Sequence, residues 1–198
     1  MSNIISMLMI ACFYFGCAHA QPEQASEKIL IVYLSRTGNT KAIAEMIHKN
    51  MGGDIVLIEL EQPYPADYKV TVEQVAEENE KGYLPPLKMG LDSIGKYDVV
   101  FVGFPTWGMK LPPPVKSFLT QYDLSGKTVV PFNTNAGYGV GSSFETLKDM
   151  CQDSKVLAGF SMKGGVEKDG VLFIMEGNKA REAVADVEAW LKKINMLK

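Results

Sequence analysis

From Lys28 onward the chain alternates short apolar runs with stretches whose apolar residues return every three or four positions. The runs at 29–34, 54–60, 98–104, 128–133 and 156–160 mostly lack polar and apolar alternation, the mark of strands buried on both faces. Between them Ile43, Met46 and Ile47 share one face of a first helix that stops at Gly52-Gly53. Residues 67–81 read as a more polar helix after the Pro63-Tyr64-Pro65 turn, and Pro112-Pro113-Pro114 stiffens the approach to a helix reaching about Tyr122. The last helix carries Ala180, Val184, Val187, Leu191 and Ile194 as a stripe between Asn178, an expected N-cap, and Asn195. Trp190 lies beside that stripe and is expected in the core. Strands and helices in this alternation predict an α/β domain, a doubly wound five-stranded parallel sheet with helices on both faces.

The first twenty residues break the pattern. Residues 4–20 are almost wholly apolar, and nothing up to Ala20 is Lys, Arg, Asp or Glu. Ala18-His19-Ala20 puts small residues where a signal peptidase reads them, and Gln21-Pro22-Glu23 opens a polar stretch. Residues 1–20 therefore read as an export signal cleaved after Ala20, 21–27 as a linker and 28–198 as the domain. With no basic residue in the leader, the amino terminus alone sets its orientation. The run is short for a retained span and lacks a basic flank after it, so no stable membrane span is expected after cleavage. Cys17, after Phe15-Gly16, is an alternative point of lipid anchoring, although Tyr14 stands where lipoprotein signals usually carry a branched aliphatic residue. The expected location is periplasmic or otherwise extracytoplasmic. Cleavage removes Cys12 and Cys17 and leaves Cys151 alone, which excludes an intramolecular disulfide; with no His or basic cluster beside it in sequence, Cys151 reads as a small buried thiol.

Composition narrows the function further. A chain of 198 residues, 46% hydrophobic and 22% charged, suits one domain with a sizeable core. Its net charge of -3 is too small to recruit nucleic acid. No Cys, His and Asp cluster has metal-ligand spacing, and His48, in the first helix, is the one histidine after the leader. It reads as a packing or solvated residue, so acid–base catalysis by histidine is not expected.

In an open α/β sheet, ligands bind beyond the carboxyl ends of the strands, and three loops there are chemically unusual. After the first strand, Ser35-Arg36-Thr37-Gly38-Asn39-Thr40 leads straight into a helix. Hydroxyls on Ser35, Thr37 and Thr40, backbone access at Gly38 and the helix N-terminus together make a phosphate seat without a lysine. Neither the Walker nor the dinucleotide glycine pattern is present, and no Cys sits in the turn as a phosphatase nucleophile. After the third strand, Pro105-Thr106-Trp107-Gly108 offers an indole to a flat ring, and Gly108 lets a peptide reorient beside it. After the fourth, Thr134-Asn135-Ala136-Gly137-Tyr138-Gly139 supplies glycines that allow N–H groups to face a cleft, with Tyr138 as a second ring contact.

In order and spacing these loops resemble those of the flavodoxin family, over about 28–198. The resemblance implies the flavodoxin-like strand order 2-1-3-4-5 and FMN as cofactor. It assigns Ser35, Arg36, Thr37, Gly38, Asn39 and Thr40 to the FMN phosphate, and Pro105, Thr106, Trp107 and Gly108 to the border of the isoalloxazine. Thr134, Asn135, Ala136, Gly137, Tyr138 and Gly139 close the pyrimidine side. It also implies that the Gly108 carbonyl turns toward N5 when the ring gains a proton and an electron. Two features depart from the family: Met109-Lys110 stands where acidic residues often surround the flavin, and the third loop lacks the acid that often precedes its aromatic. A cation near the ring favours the reduced anion, so a less negative potential for full reduction is expected than in acidic flavodoxins.

The expected function is electron transfer through FMN to a redox partner protein or a small quinone-like acceptor. The alternative is an FMN-dependent NAD(P)H:quinone-type oxidoreductase, for which Gly164-Gly165 and the segment to Gly177 would shape a substrate pocket; a plain solvent loop is the simpler reading of that segment. A third class, a binding module that uses the fold without flavin, would stay colourless with added FMN.

Overall fold

Apolar runs flanked by turn residues become the strands β1 (Ile29–Tyr33), β2 (Asp54–Leu57), β3 (Val99–Pro105), β4 (Thr128–Asn135), β5 (Lys155–Val156) and β6 (Phe160–Lys163). The computed structural model describes residues 27–198; the apolar leader, Cys17 and all but the last residue of the linker lie outside them. The strands are parallel in the order β2-β1-β3-β4-β5, and β6 also pairs with β4. The helices are α1 (Asn39–Met51), α2 (Tyr68–Lys81), α3 (Pro113–Gln121), α4 (Ser143–Met150) and α5 (Gly177–Lys193). One face of the sheet packs Ile31, Phe101 and Phe132 against Ile43 and Ile47 of α1 and Val187 and Leu191 of α5. The other packs Val32, Val102 and Phe104 against Val115 and Phe118 of α3 and Leu147 of α4. Burial on both faces is why β1, β3 and β4 read as continuous apolar runs.

Three elements differ from the sequence reading. The fifth strand is split: Val156 pairs with Val129 and Phe160 with Phe132, so 157–159 face only 130–131 across the ladder. This is a one-residue bulge. Pro131 has no N–H to give the ladder there, and a Cβ on Gly159 would come 2.7 Å from the Phe144 ring. Freed from the ladder, the Ala158 carbonyl accepts the Trp190 indole N–H at 2.9 Å. The second strand stops at Leu57 as a partly exposed edge. The last helix begins at Gly177 with Glu176 as its cap, and Asn178 sits inside it, accepting from Arg181. Its buried face is Ala183, Val187, Trp190 and Leu191, with Val184 turned outward. Trp190 is a core residue, packed on Phe160 and Phe101 with ring centroids 5.3 and 6.1 Å away.

Cys151 follows α4 and is buried. Burial pushes its thiol from 9.0 up to about 11, the opposite of a reactive cysteine. No helix among the described residues is long and apolar enough to cross a membrane.

Candidate cofactor site

The loops that follow β1, β3 and β4 line one cavity of about 320 Å³, large enough for a nucleotide-sized ligand. At one end stands the start of α1. Gly38, at φ 85°, caps the helix in the left-handed region, where a side chain would be strained. Ser35 Oγ accepts the Lys41 N–H (3.3 Å), and the Gly38 carbonyl accepts that of Ala42 (2.9 Å). Thr37 and Thr40 line the cavity, and the buried Thr40 hydroxyl shares a 2.8 Å hydrogen bond with Thr134 across the site. Hydroxyls, orphan amide donors and the positive end of the helix dipole make this end a seat for an anion.

Two residues of the same loop are already committed. Arg36 donates through Nε to Glu167 (2.6 Å), through Nη1 to the Pro65 carbonyl and Thr71 Oγ1, and through Nη2 to the Ala66 carbonyl. Four of its five N–H groups are therefore spent on protein. Buried Asn39 donates to Thr37 Oγ1 (2.8 Å) and the Leu172 carbonyl (2.6 Å) and accepts from the Ile174 N–H. Both side chains fasten neighbouring segments around the seat.

The second loop is a tight turn. Lys110 N–H donates to the Trp107 carbonyl at 3.0 Å, with Gly108 and Met109 at φ 57° and 60°, the pattern of a type I′ turn. The third loop holds it there: Ser142 N–H donates to the Met109 carbonyl, and a Cβ on Gly141 would lie 2.1 Å from that oxygen. The Trp107 indole meets the Tyr64 ring edge-on at 5.4 Å. Tyr64 in turn donates to buried Glu78, whose other oxygen takes the Gln74 amide at 2.8 Å. Burial first, then the bond to Glu78, raises the Tyr64 phenol above its ordinary pKa.

In the third loop Thr134, Asn135 and Ala136 line the cavity. The N–H groups of Gly137 and Gly139, expected to face the cleft, both donate to Asn135 Oδ1 at 2.8 and 3.2 Å. The side chain closes an Asx turn and consumes them. Tyr138 is 66% exposed, and its hydroxyl accepts from Lys168, whose ammonium lies 5.2 Å from the ring centre. Eleven of the sixteen expected residues line the cavity; Ser35, Gly38, Gly137, Tyr138 and Gly139 stand outside its wall.

One wall was missed, and a second was weighed only under the alternative reading. Tyr68, Thr71, Val72, Val75, Ala76 and Asn79 line the cavity from α2, at the spacing of a single helix face. The signal was short, Val72, Val75 and Ala76 in an otherwise polar helix. The other wall is Gly164, Gly165 and Glu167, so this segment is not a plain solvent loop. A Cβ on Gly165 would fall 2.1 Å from the Leu172 carbonyl; only glycine lets the strand of chain fold back so tightly.

The flavodoxin family model matches residues 28–178. This chain belongs to the flavodoxin family. A Bacteroides eggerthii protein assigned as a flavoprotein is 31% identical, with a TM-score of 0.67 over 85% of this flavodoxin and 98% of that chain. A Lactobacillus acidophilus flavoprotein solved in complex with FMN shares the fold, at 24% identity and a TM-score of 0.60, over 73% of this chain and 98% of that one. A flavodoxin of Synechocystis is 29% identical over 130 residues, 64% of this chain and 62% of the relative, so the match spans about three fifths of that protein.

Proposed function

We propose that this flavodoxin binds FMN non-covalently in the 320 Å³ cavity and exchanges electrons through it with a redox partner protein or a small quinone-like acceptor. The observation that carries the reading is one cavity with an anion seat at the start of α1 and an indole-bearing turn beside it. Thr37, Thr40 and the α1 amides would hold the phosphate, while Trp107 with the backbone of Pro105, Thr106 and Gly108 would border the ring. Thr134, Asn135 and Ala136 would close the remaining side. FMN supplies one- and two-electron chemistry when bound. The chain orients it, and the apolar face of α2 shields it from water on one side. Lys110, at the cavity wall and without an ion pair among the described residues, favours a negative charge on whatever lies there.

The test is an anaerobic visible-absorption titration of the FMN-loaded protein, adding NADH or NADPH first and dithionite afterwards. The expected result is inertness to the nicotinamides and reduction by dithionite, at a potential less negative than in acidic flavodoxins. Prompt bleaching by NADH or NADPH would make the protein a reductase, and a preparation that stays colourless with FMN would end the flavin reading.

We also propose export, on the strength of the apolar leader and its Ala18-His19-Ala20 ending. Mass spectrometry of the protein purified from its host should give a mature chain beginning at Gln21. A lipid-modified Cys17 or an intact leader would contradict cleavage at that site.

A further inference from the structure

Pro63-Tyr64-Pro65 supplies no residue to the cavity lining, yet Tyr64 meets that lining from outside. Its ring stands 5.4 Å from the Trp107 indole, centre to centre, with the two planes at 84°. A fixed ring set across an indole in this way keeps it from rocking about its Cβ–Cγ bond. Tyr64 is fixed at both ends. Its backbone lies between two prolines, which restrict φ on either side and disfavour a helical Tyr64. The Pro65 carbonyl accepts from Thr71 Oγ1 at 2.8 Å and from Arg36 Nη1 at 3.0 Å, so the turn is fastened independently of the phenol. The phenol itself donates to Glu78 Oε2, and Glu78 Oε1 accepts the Gln74 amide at 2.8 Å.

Glu78 is the unexpected member of this set. It is 6% exposed, and among the described residues it has no cationic partner. Packing alone does not call for a carboxylate there, since burying one is costly. What the acid supplies is a charge-assisted bond to the phenol, about twice as strong as a neutral one. We propose that Tyr64 and Glu78 are positioning residues for Trp107: the carboxylate holds the phenol, and the phenol ring holds the indole in one orientation toward the flat ring of the flavin. The assignment rests on the FMN reading for the identity of that ring, and not for the fixing of the indole.

The variant that isolates this device is Tyr64→Phe combined with Glu78→Gln. It keeps both shapes and leaves no buried charge short of a donor, so stability should change little, and the turn stays fastened through Pro65. With 5-fluorotryptophan at the two tryptophans, fluorine NMR of the unloaded protein gives one line for Trp107 and one for Trp190, assigned by Trp107→Phe. In the double variant the Trp107 line should shift or broaden while the Trp190 line stays in place. FMN and riboflavin, which lacks the phosphate, should both bind about fivefold more weakly, because the loss lies at the ring and not at the anion seat. An unmoved Trp107 line would overturn the proposal, as would unchanged affinity for both flavins. A loss confined to FMN would also overturn it, by placing the effect at the phosphate end through Pro65. Should the double variant lose cooperative melting, Glu78→Gln alone decides: it keeps an acceptor without the charge, so the Trp107 line should move the same way by less, and an unmoved line counts against the pair. A protein that takes no flavin ends the FMN reading by itself. The fluorine lines of the unloaded protein still decide whether Tyr64 and Glu78 fix the indole.

Discussion

Met109 is the sharpest conflict between a residue and its place. It is a non-glycine residue at φ 60°, 44% exposed, at the second corner of the Trp107–Lys110 turn. An L-residue in the left-handed region costs about 1 kcal/mol, and an exposed side chain returns little of that in packing. Met109→Gly should therefore stabilise the protein by about 0.5–1 kcal/mol in urea unfolding. No gain would mean that the Ser142 bond and the close Gly141 contact, rather than the turn's own preference, hold that backbone. Arg36 illustrates the opposite case, a residue whose type was legible and whose role was not. The loop marks it as a neighbour of a phosphate, yet its guanidinium is taken by Glu167, Pro65, Ala66 and Thr71. Its acceptors lie 29 to 131 positions away, outside the reach of any local pattern.

Among elements, α2 and the 164–176 segment decide whether the three loops make a groove or a closed site. Arg36 and Asn39 tie both to the start of α1. Arg36→Ala removes four hydrogen bonds, one of them to a carboxylate, and should weaken FMN binding about tenfold, chiefly through faster release. Glu167→Gln, which keeps an acceptor for Nε, should cost less. Flavin fluorescence during dilution measures both rates; unchanged release in Arg36→Ala would show that the two walls hold without this fastening. The strands that carry the site were legible because burial on both faces leaves an unbroken apolar run. The α2 wall was barely so, since a cavity face needs only Val72, Val75 and Ala76, too few to distinguish from a helix resting on the sheet. The bulge at 157–159 was not legible at all. It comes from Pro131 on another strand and from the space Gly159 leaves for Phe144.

For the molecule as a whole, burial of acidic groups that stay neutral sets an alkaline limit. Cys151 in the folded protein loses its proton only near pH 11, while in the unfolded chain it does so near 9.0. The folded state holds the proton more tightly, so this contribution is intact below pH 9 and is lost as pH rises from there through 11. Tyr33, Tyr64 and Tyr97, all raised chiefly by burial, act in the same direction. Urea unfolding at pH 8 and pH 10.5 should show a smaller alkaline loss in Cys151→Ala than in the parent; an equal loss would assign the whole effect to the tyrosines. At this scale the sequence by itself determined the layering, the parallel sheet, its flavodoxin family and the edge where the site lies. Periodicity follows from local burial, and parallel crossovers leave few ways to wind such a chain. Tertiary structure alone decided which groups face the cavity. A donor such as Arg36, the Gly137 amide or the Trp190 indole bonds to whichever acceptor packing brings within about 3 Å, and the chain's order does not reveal that acceptor.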